Sequence, residues 1–138
     1  MSALISAYIK SGSWLRGLLL ASGLFTFSGI VLFAFPRWPT SALAGVPAEI
    51  PVLYRVLAGL FMTSFAALYV WMAAQPLLPR GLVVLGAVAK LIAFAAFAAL
   101  WVSGQIPATL LVAVSGDLLL AVLLLAASAR TGSFILNR

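Results

Sequence analysis

The chain of 138 residues is 65% hydrophobic and only 7% charged, with a mean hydropathy of +1.25. Soluble domains carry about 25% charged residues, so this composition indicates a single integral membrane domain over residues 1–138. Cys and His are absent, which excludes the usual ligands of haem, iron–sulfur clusters, copper and zinc and predicts no metal site. It also excludes a Ser–His or Cys–His nucleophile, so we expect no enzyme that acts by itself. The net charge of +6 does not indicate a nucleic-acid partner, because the basic residues are scattered between apolar segments.

The residues before the first apolar segment leave two structures open. Their spacing fits a short amphipathic helix on the membrane surface, or alternatively a weakly ordered tail. The residues that carry this pattern are Leu4, Ile5, Tyr8, Ile9 and Lys10.

The first apolar segment, residues 16–35, is predicted to be a membrane-spanning helix that ends before Pro36. It is rich in small residues, which let helix backbones approach closely and therefore predict a packing face. These residues are Gly17, Ala21, Ser22, Gly23, Thr26, Ser28 and Gly29.

A second span is predicted over residues 52–74, after a connection of residues 36–51 whose four prolines prevent a continuous helix. Arg55 lies about one turn inside this span. Its side chain either extends to the lipid headgroups or turns inward toward Asp117 in the fourth span. Tyr69 and Trp71 lie at the far end of the second span.

The third predicted span, residues 81–102, contains Lys90 near its middle. A lysine at that depth costs about 2.5–3.5 kcal/mol, so it should face protein or water and have a partner. Asp117, in the fourth predicted span of residues 108–127, is the only acid in any apolar segment. The turn between these spans is short, so the helices are antiparallel neighbours, and the depths of the two residues differ by only about 6 Å. We therefore predict that Lys90 pairs with Asp117, either as a structural ion pair or as a functional polar site.

A row of aromatic residues extends from this lysine along the third span. Lys90, Phe94, Phe97 and Trp101 share one helix face at positions i, i+4, i+7 and i+11. This face could line a slot for a quinone, a carotenoid or a lipid tail, but we favour ordinary helix packing or lipid contact as its explanation.

The basic residues predict the orientation of the chain. Five of them lie on one side of the predicted spans: Lys10, Arg16, Arg80, Arg130 and Arg138. Only Arg37 and the interfacial Arg55 lie on the other side. The positive-inside rule then places both termini in the cytoplasm and residues 36–51 outside. The predicted fold is an all-α, antiparallel transmembrane four-helix bundle.

Short motifs along residues 16–127 resemble those of small four-helix bacterial inner-membrane proteins that are loosely DoxX-like. The matching residues are Phe35-Pro36, Arg55 with Gly59, Tyr69, Pro79-Arg80, Gly86 with Lys90, Gly104-Gln105-Ile106-Pro107, and Gly116-Asp117. In that pattern Asn often precedes the aspartate of the fourth helix, whereas this chain has Gly116. The resemblance implies a multi-pass protein of the bacterial inner membrane in the company of quinone-linked oxidoreductases.

Two functions follow from these observations. The first is a non-enzymatic accessory or scaffold subunit that packs in the lipid bilayer against a larger respiratory or photosynthetic complex, or against itself as a homo-oligomer. The second is a binding or transport module in which a quinone, pigment or lipid lies along Phe94, Phe97 and Trp101, with Lys90 and Asp117 polarising its head. Too few polar residues are present for a recognisable transport pathway, so the sequence favours the first function.

Overall fold

The computed structural model of the protein describes residues 8–10 and 12–133, which are about 80% helical. Four long helices are connected by one short helix and short turns. The elements are β1 (Tyr8–Lys10), α1 (Ser13–Ala34), α2 (Pro39–Ala44), α3 (Val52–Ala74), β2 (Leu77–Pro79), α4 (Arg80–Val102) and α5 (Ala108–Ser133).

The four long helices each satisfy the length and composition of a membrane span. The candidate spans are Ser13–Ala34, Val52–Ala74, Arg80–Val102 and Ala108–Arg130. A helix of 22 residues measures about 33 Å, which exceeds the roughly 30 Å of a bilayer's hydrocarbon core. The prediction of four apolar helices is therefore confirmed for the described part of the chain.

The proline-containing connection holds the short helix α2, which the sequence analysis does not predict. Pro39 is the first residue of α2, where a missing N–H costs nothing, and Gly45 ends the helix with a φ of 81°. A β-carbon at Gly45 would lie 2.4 Å from Pro107 Cγ, so this turn packs directly against the start of α5. The last long helix also extends past residue 127 to Ser133.

The described chain is helical as expected except for two short strands, one of which replaces the helix or tail expected at residues 8–10. Residues 8–10 form β1, which pairs antiparallel with β2, and Ile9 lies opposite Leu78. Both of these side chains are buried. Pro76 and Pro79 favour an extended backbone between α3 and α4, which leaves peptide groups available to pair with β1. Leu4 and Ile5 of the predicted amphipathic pattern lie outside the described residues.

The long helices associate in two pairs. α1 lies along α3, α4 lies along α5, and contact between α1 and α5 joins the pairs. A β-carbon at Gly23 would meet Ala66 and Val70, and one at Gly29 would meet Met62, so α1 and α3 run in opposite directions. Two of the small residues predicted to form a packing face thus lie directly against α3.

The tightly packed core lies in the half of the bundle that carries β1 and β2. It combines the start of α1, the end of α3, the start of α4 and the second half of α5. Its most deeply buried members are Ile9, Leu19, Tyr69, Met72, Leu78, Val83, Ala87, Ala121 and Leu124. The other half of the bundle is less closely filled and contains the cavity described next.

Candidate functional site

Lys90 and Asp117 are joined across the interface between α4 and α5. Lys90 Nζ lies 2.5 Å from Asp117 Oδ1, and the two side chains are 4% and 21% exposed. The turn between the helices ends α4 with Ser103 and uses Gly104 at a φ of 73°, which brings α5 back along α4. The structure therefore brings together the lysine and the carboxylate that the sequence analysis pairs.

The ammonium group of Lys90 also contacts the other two long helices. It donates a hydrogen bond of 3.1 Å to Thr26 Oγ1 on α1. It lies 5.7 Å from the ring centroid of Phe25 on α1 and 5.1 Å from that of Tyr69 on α3. Aromatic ring faces attract cations, and the attraction increases where water is excluded. One buried charge is thus surrounded by all four long helices.

Sequence reasoning misses three of these residues as members of the site. It places Thr26 on a packing face and Tyr69 at the end of a span, it connects neither with Lys90, and it assigns no role to Phe25. A hydroxyl within an apolar helix needs a hydrogen-bond partner, and this requirement is the signal that could have identified Thr26 and Tyr69.

Tyr69 is held in place by Gly86. The Tyr69 hydroxyl donates a 2.8 Å hydrogen bond to the Gly86 carbonyl oxygen. A β-carbon at Gly86 would lie 3.0 Å from Tyr69 Cε1, so a larger residue there would press on the ring. Gly86 therefore allows the tyrosine side chain to bridge α3 and α4 and to keep its ring against Lys90.

A cavity of about 180 Å³ lies beside this polar cluster. Residues from all four long helices line it, and twelve of the seventeen have wholly apolar side chains or none. The lining is Phe25, Thr26, Ser28, Gly29, Leu32, Phe33, Phe61, Met62, Phe65, Tyr69, Ala89, Lys90, Ala93, Phe97, Ala113, Val114 and Asp117.

The cavity has a polar end and an aromatic end. Phe33 and Phe97 meet across it with ring centroids 5.8 Å apart. Each lies seven residues after a member of the polar cluster, Thr26 and Lys90 respectively, which corresponds to about 10 Å along the helix axes. The arrangement can therefore enclose a small apolar group between the aromatic pair and the ion pair.

The predicted aromatic row lines this cavity only in part. Phe97 is a lining residue, whereas Phe94 and Trp101 are not among the lining residues. The cavity follows Ala89, Ala93 and Phe97, which are spaced i, i+4 and i+8 and turn away from Phe94. Trp101 is 46% exposed near the end of α4.

Arg55 lies apart from this site. It lines a second pocket with Arg37 and Glu49 at the connection between α1 and α3, and among the described residues it makes no ion pair with Asp117. The described residues also contain no group of three or more Cys, Asp or Glu side chains that could hold a metal ion.

Comparison of the chain with protein-family models, with curated proteins and with solved structures finds no match.

Proposed function

We propose that this multi-pass membrane protein binds a small, ring-bearing, lipid-soluble molecule in the cavity between its four long helices. The observation that carries the proposal is an apolar cavity that ends on a buried Lys90–Asp117 pair. Ligand sites are typically concave and apolar with a few convergent polar groups, and charges inside a membrane are costly and typically mark functional sites.

The size of the cavity indicates the kind of molecule. A dry cavity of about 150 Å³ accepts one benzene ring, and this cavity measures about 180 Å³. A quinone headgroup is a single ring with two carbonyl oxygens, and its tail would leave toward the lipid past exposed lining residues such as Phe61. A carotenoid or an acyl chain could insert only one end.

The polar cluster supplies complementary groups for such a headgroup. Lys90 has three N–H donors, of which Asp117 and Thr26 accept two. The second carboxylate oxygen of Asp117 accepts no hydrogen bond from any described residue. A carbonyl oxygen on the ring would accept a hydrogen bond from Lys90 Nζ, and a hydroxyl on the ring would donate one to the Asp117 carboxylate.

The proposed orientation places both termini in the cytoplasm and residues 36–51 outside. The excess of Lys and Arg on the side of the termini supports it. The DoxX-like resemblance adds the expectation of a bacterial inner membrane and of a quinone-linked redox system nearby.

Ligand extraction from protein purified out of its native membranes tests this function. We expect a ring-bearing molecule at fixed stoichiometry in an ultraviolet–visible spectrum and in mass spectrometry of the extract. Ala93→Phe should fill the cavity and remove the molecule. Ala95→Phe, the same change at an exposed position of α4, should leave it bound. Equal retention in both variants, or an extract with bulk lipid only, would contradict the proposal.

A second candidate is an accessory or scaffold subunit of a larger membrane complex or of a homo-oligomer. Ala95, Ala96 and Ala99 form an exposed small-residue face on α4, which is typical of helix–helix contacts in membranes. A pull-down in mild detergent tests it. Larger subunits at fixed stoichiometry, lost in Ala96→Leu but not in Ala93→Leu, would favour this function.

A further inference from the structure

A second pocket lies at the opposite end of the bundle from β1 and β2. It is formed by the connection after α1 and by the first turn of α3, and its volume is about 560 Å³. Its lining is Arg37, Ala48, Glu49, Ile50, Pro51 and Arg55. The pocket shares no residue with the cavity at Lys90, so an inference about it is independent of the proposed function.

Three charged side chains surround this pocket without pairing among themselves. Within the described part of the chain, Arg37, Glu49 and Arg55 form no ion pair. Opposite charges that line one pocket yet remain apart leave their hydrogen-bonding groups available to a molecule between them.

One donor of Arg55 has no acceptor among the described residues. Its Nε atom is buried and has no hydrogen-bond partner. A buried donor without a partner is costly, and the cost is larger for a charged group. An acceptor bound between Arg37 and Arg55 would remove this cost. Phosphate suits this role, because two of its oxygens can accept two parallel hydrogen bonds from one guanidinium group.

We propose that this pocket binds the headgroup of a zwitterionic phospholipid with a primary amine, of the phosphoethanolamine class. Its phosphate accepts hydrogen bonds from Arg37 and Arg55, and its ammonium donates to Glu49. The two arginines face the phosphate and Glu49 faces the ammonium, so each headgroup charge meets the opposite sign and one positive charge remains in excess.

The position of the pocket favours a lipid over a soluble phosphate. The candidate span α1 ends at Ala34 and the candidate span α3 begins at Val52, so the pocket lies at one boundary of the apolar region. Val52 and Leu53, at the start of α3, are 63% and 65% exposed and can contact the acyl chains. A headgroup in the pocket would thus keep its chains beside an apolar surface.

Native mass spectrometry of the full chain in detergent tests the proposal by titration with dioleoyl phosphatidylethanolamine. We expect about tenfold weaker binding in Arg55→Gln, because one charge-assisted hydrogen-bonding group is lost. Arg80→Gln, an arginine at the other end of the bundle, serves as the control and should bind like the wild type. Equal binding by these two variants would overturn the proposal.

The amine contact has its own test, which does not depend on Arg55. Glu49 is exposed, so Glu49→Gln should fold normally, as circular dichroism would check. We expect the wild type to prefer phosphatidylethanolamine over phosphatidylcholine, whose quaternary amine has no N–H, and we expect Glu49→Gln to lose this preference. Equal binding of both lipids by the wild type would refute the amine contact. Inorganic phosphate or soluble phosphoethanolamine binding as tightly as the lipid would instead identify a site for free anions.

Discussion

The ring of Phe25 on α1 occupies the space beside Gly116 on α5. A β-carbon at residue 116 would lie 2.4 Å from Phe25 Cε2 and 2.5 Å from Phe25 Cζ. Gly116 directly precedes Asp117, and Phe25 also lies against the Lys90 ammonium. This close approach of α1 and α5 therefore sets the position of both the ion pair and the aromatic ring over it. Any side chain larger than that of glycine at residue 116 would meet this ring.

Gly116→Ala should lower the free energy of unfolding by about 1–3 kcal/mol, because the added methyl group overpacks the contact with Phe25. Chemical unfolding in detergent, followed by circular dichroism, measures this change. Gly59→Ala is the matched control, because a β-carbon at Gly59 meets nothing within 4 Å. There the better helix propensity of Ala should raise stability by about 1 kcal/mol. A neutral Gly116→Ala would contradict the proximity of ring and helix.

Asp117→Ala should lower the free energy of unfolding by about 3–5 kcal/mol, because it leaves the buried Lys90 charge without its carboxylate. The double variant Lys90→Met with Asp117→Leu should recover much of this loss, since it removes both charges and retains apolar volume. Thermal unfolding of the three proteins in one detergent measures both effects. Failure of the double variant to recover stability would argue against the ion pair.

Tyr69→Phe should lower the free energy of unfolding by about 1 kcal/mol. The change removes the hydroxyl that donates to the Gly86 carbonyl oxygen and keeps the ring beside Lys90. Tyr54→Phe provides the comparison, because Tyr54 is 63% exposed and its change should be close to neutral. Equal effects at the two positions would mean that the Tyr69 hydrogen bond contributes nothing.

Two buried serines should respond to alanine in opposite directions. Ser22 Oγ is buried with no hydrogen-bond partner, so Ser22→Ala should raise the free energy of unfolding by about 1 kcal/mol. Ser41 Oγ donates a 2.8 Å hydrogen bond to the Phe35 carbonyl oxygen, so Ser41→Ala should lower the free energy of unfolding by a similar amount. Unfolding midpoints of the two variants check this contrast, and a loss of stability in Ser22→Ala would show that its hydroxyl is bonded.

The sequence by itself determined the four long apolar helices and the closeness of Lys90 to Asp117. Predominantly apolar segments of about 20 residues are helical in a membrane because a helix satisfies its own backbone groups, whatever the tertiary contacts. The ion pair is predictable because a buried lysine needs a counter-charge, and Asp117 is the only acidic residue in the four apolar segments.

Only the tertiary structure decided which faces of the helices meet. In a soluble protein the apolar face of a helix marks the core, but a helix in lipid is apolar on all sides, so its pattern does not indicate its rotation. For this reason the sequence could not assign Thr26 to the lysine or separate the cavity residue Phe97 from Phe94. The pairing of β1 with β2 is likewise a long-range contact between the start of the chain and the connection after α3, which no local pattern specifies.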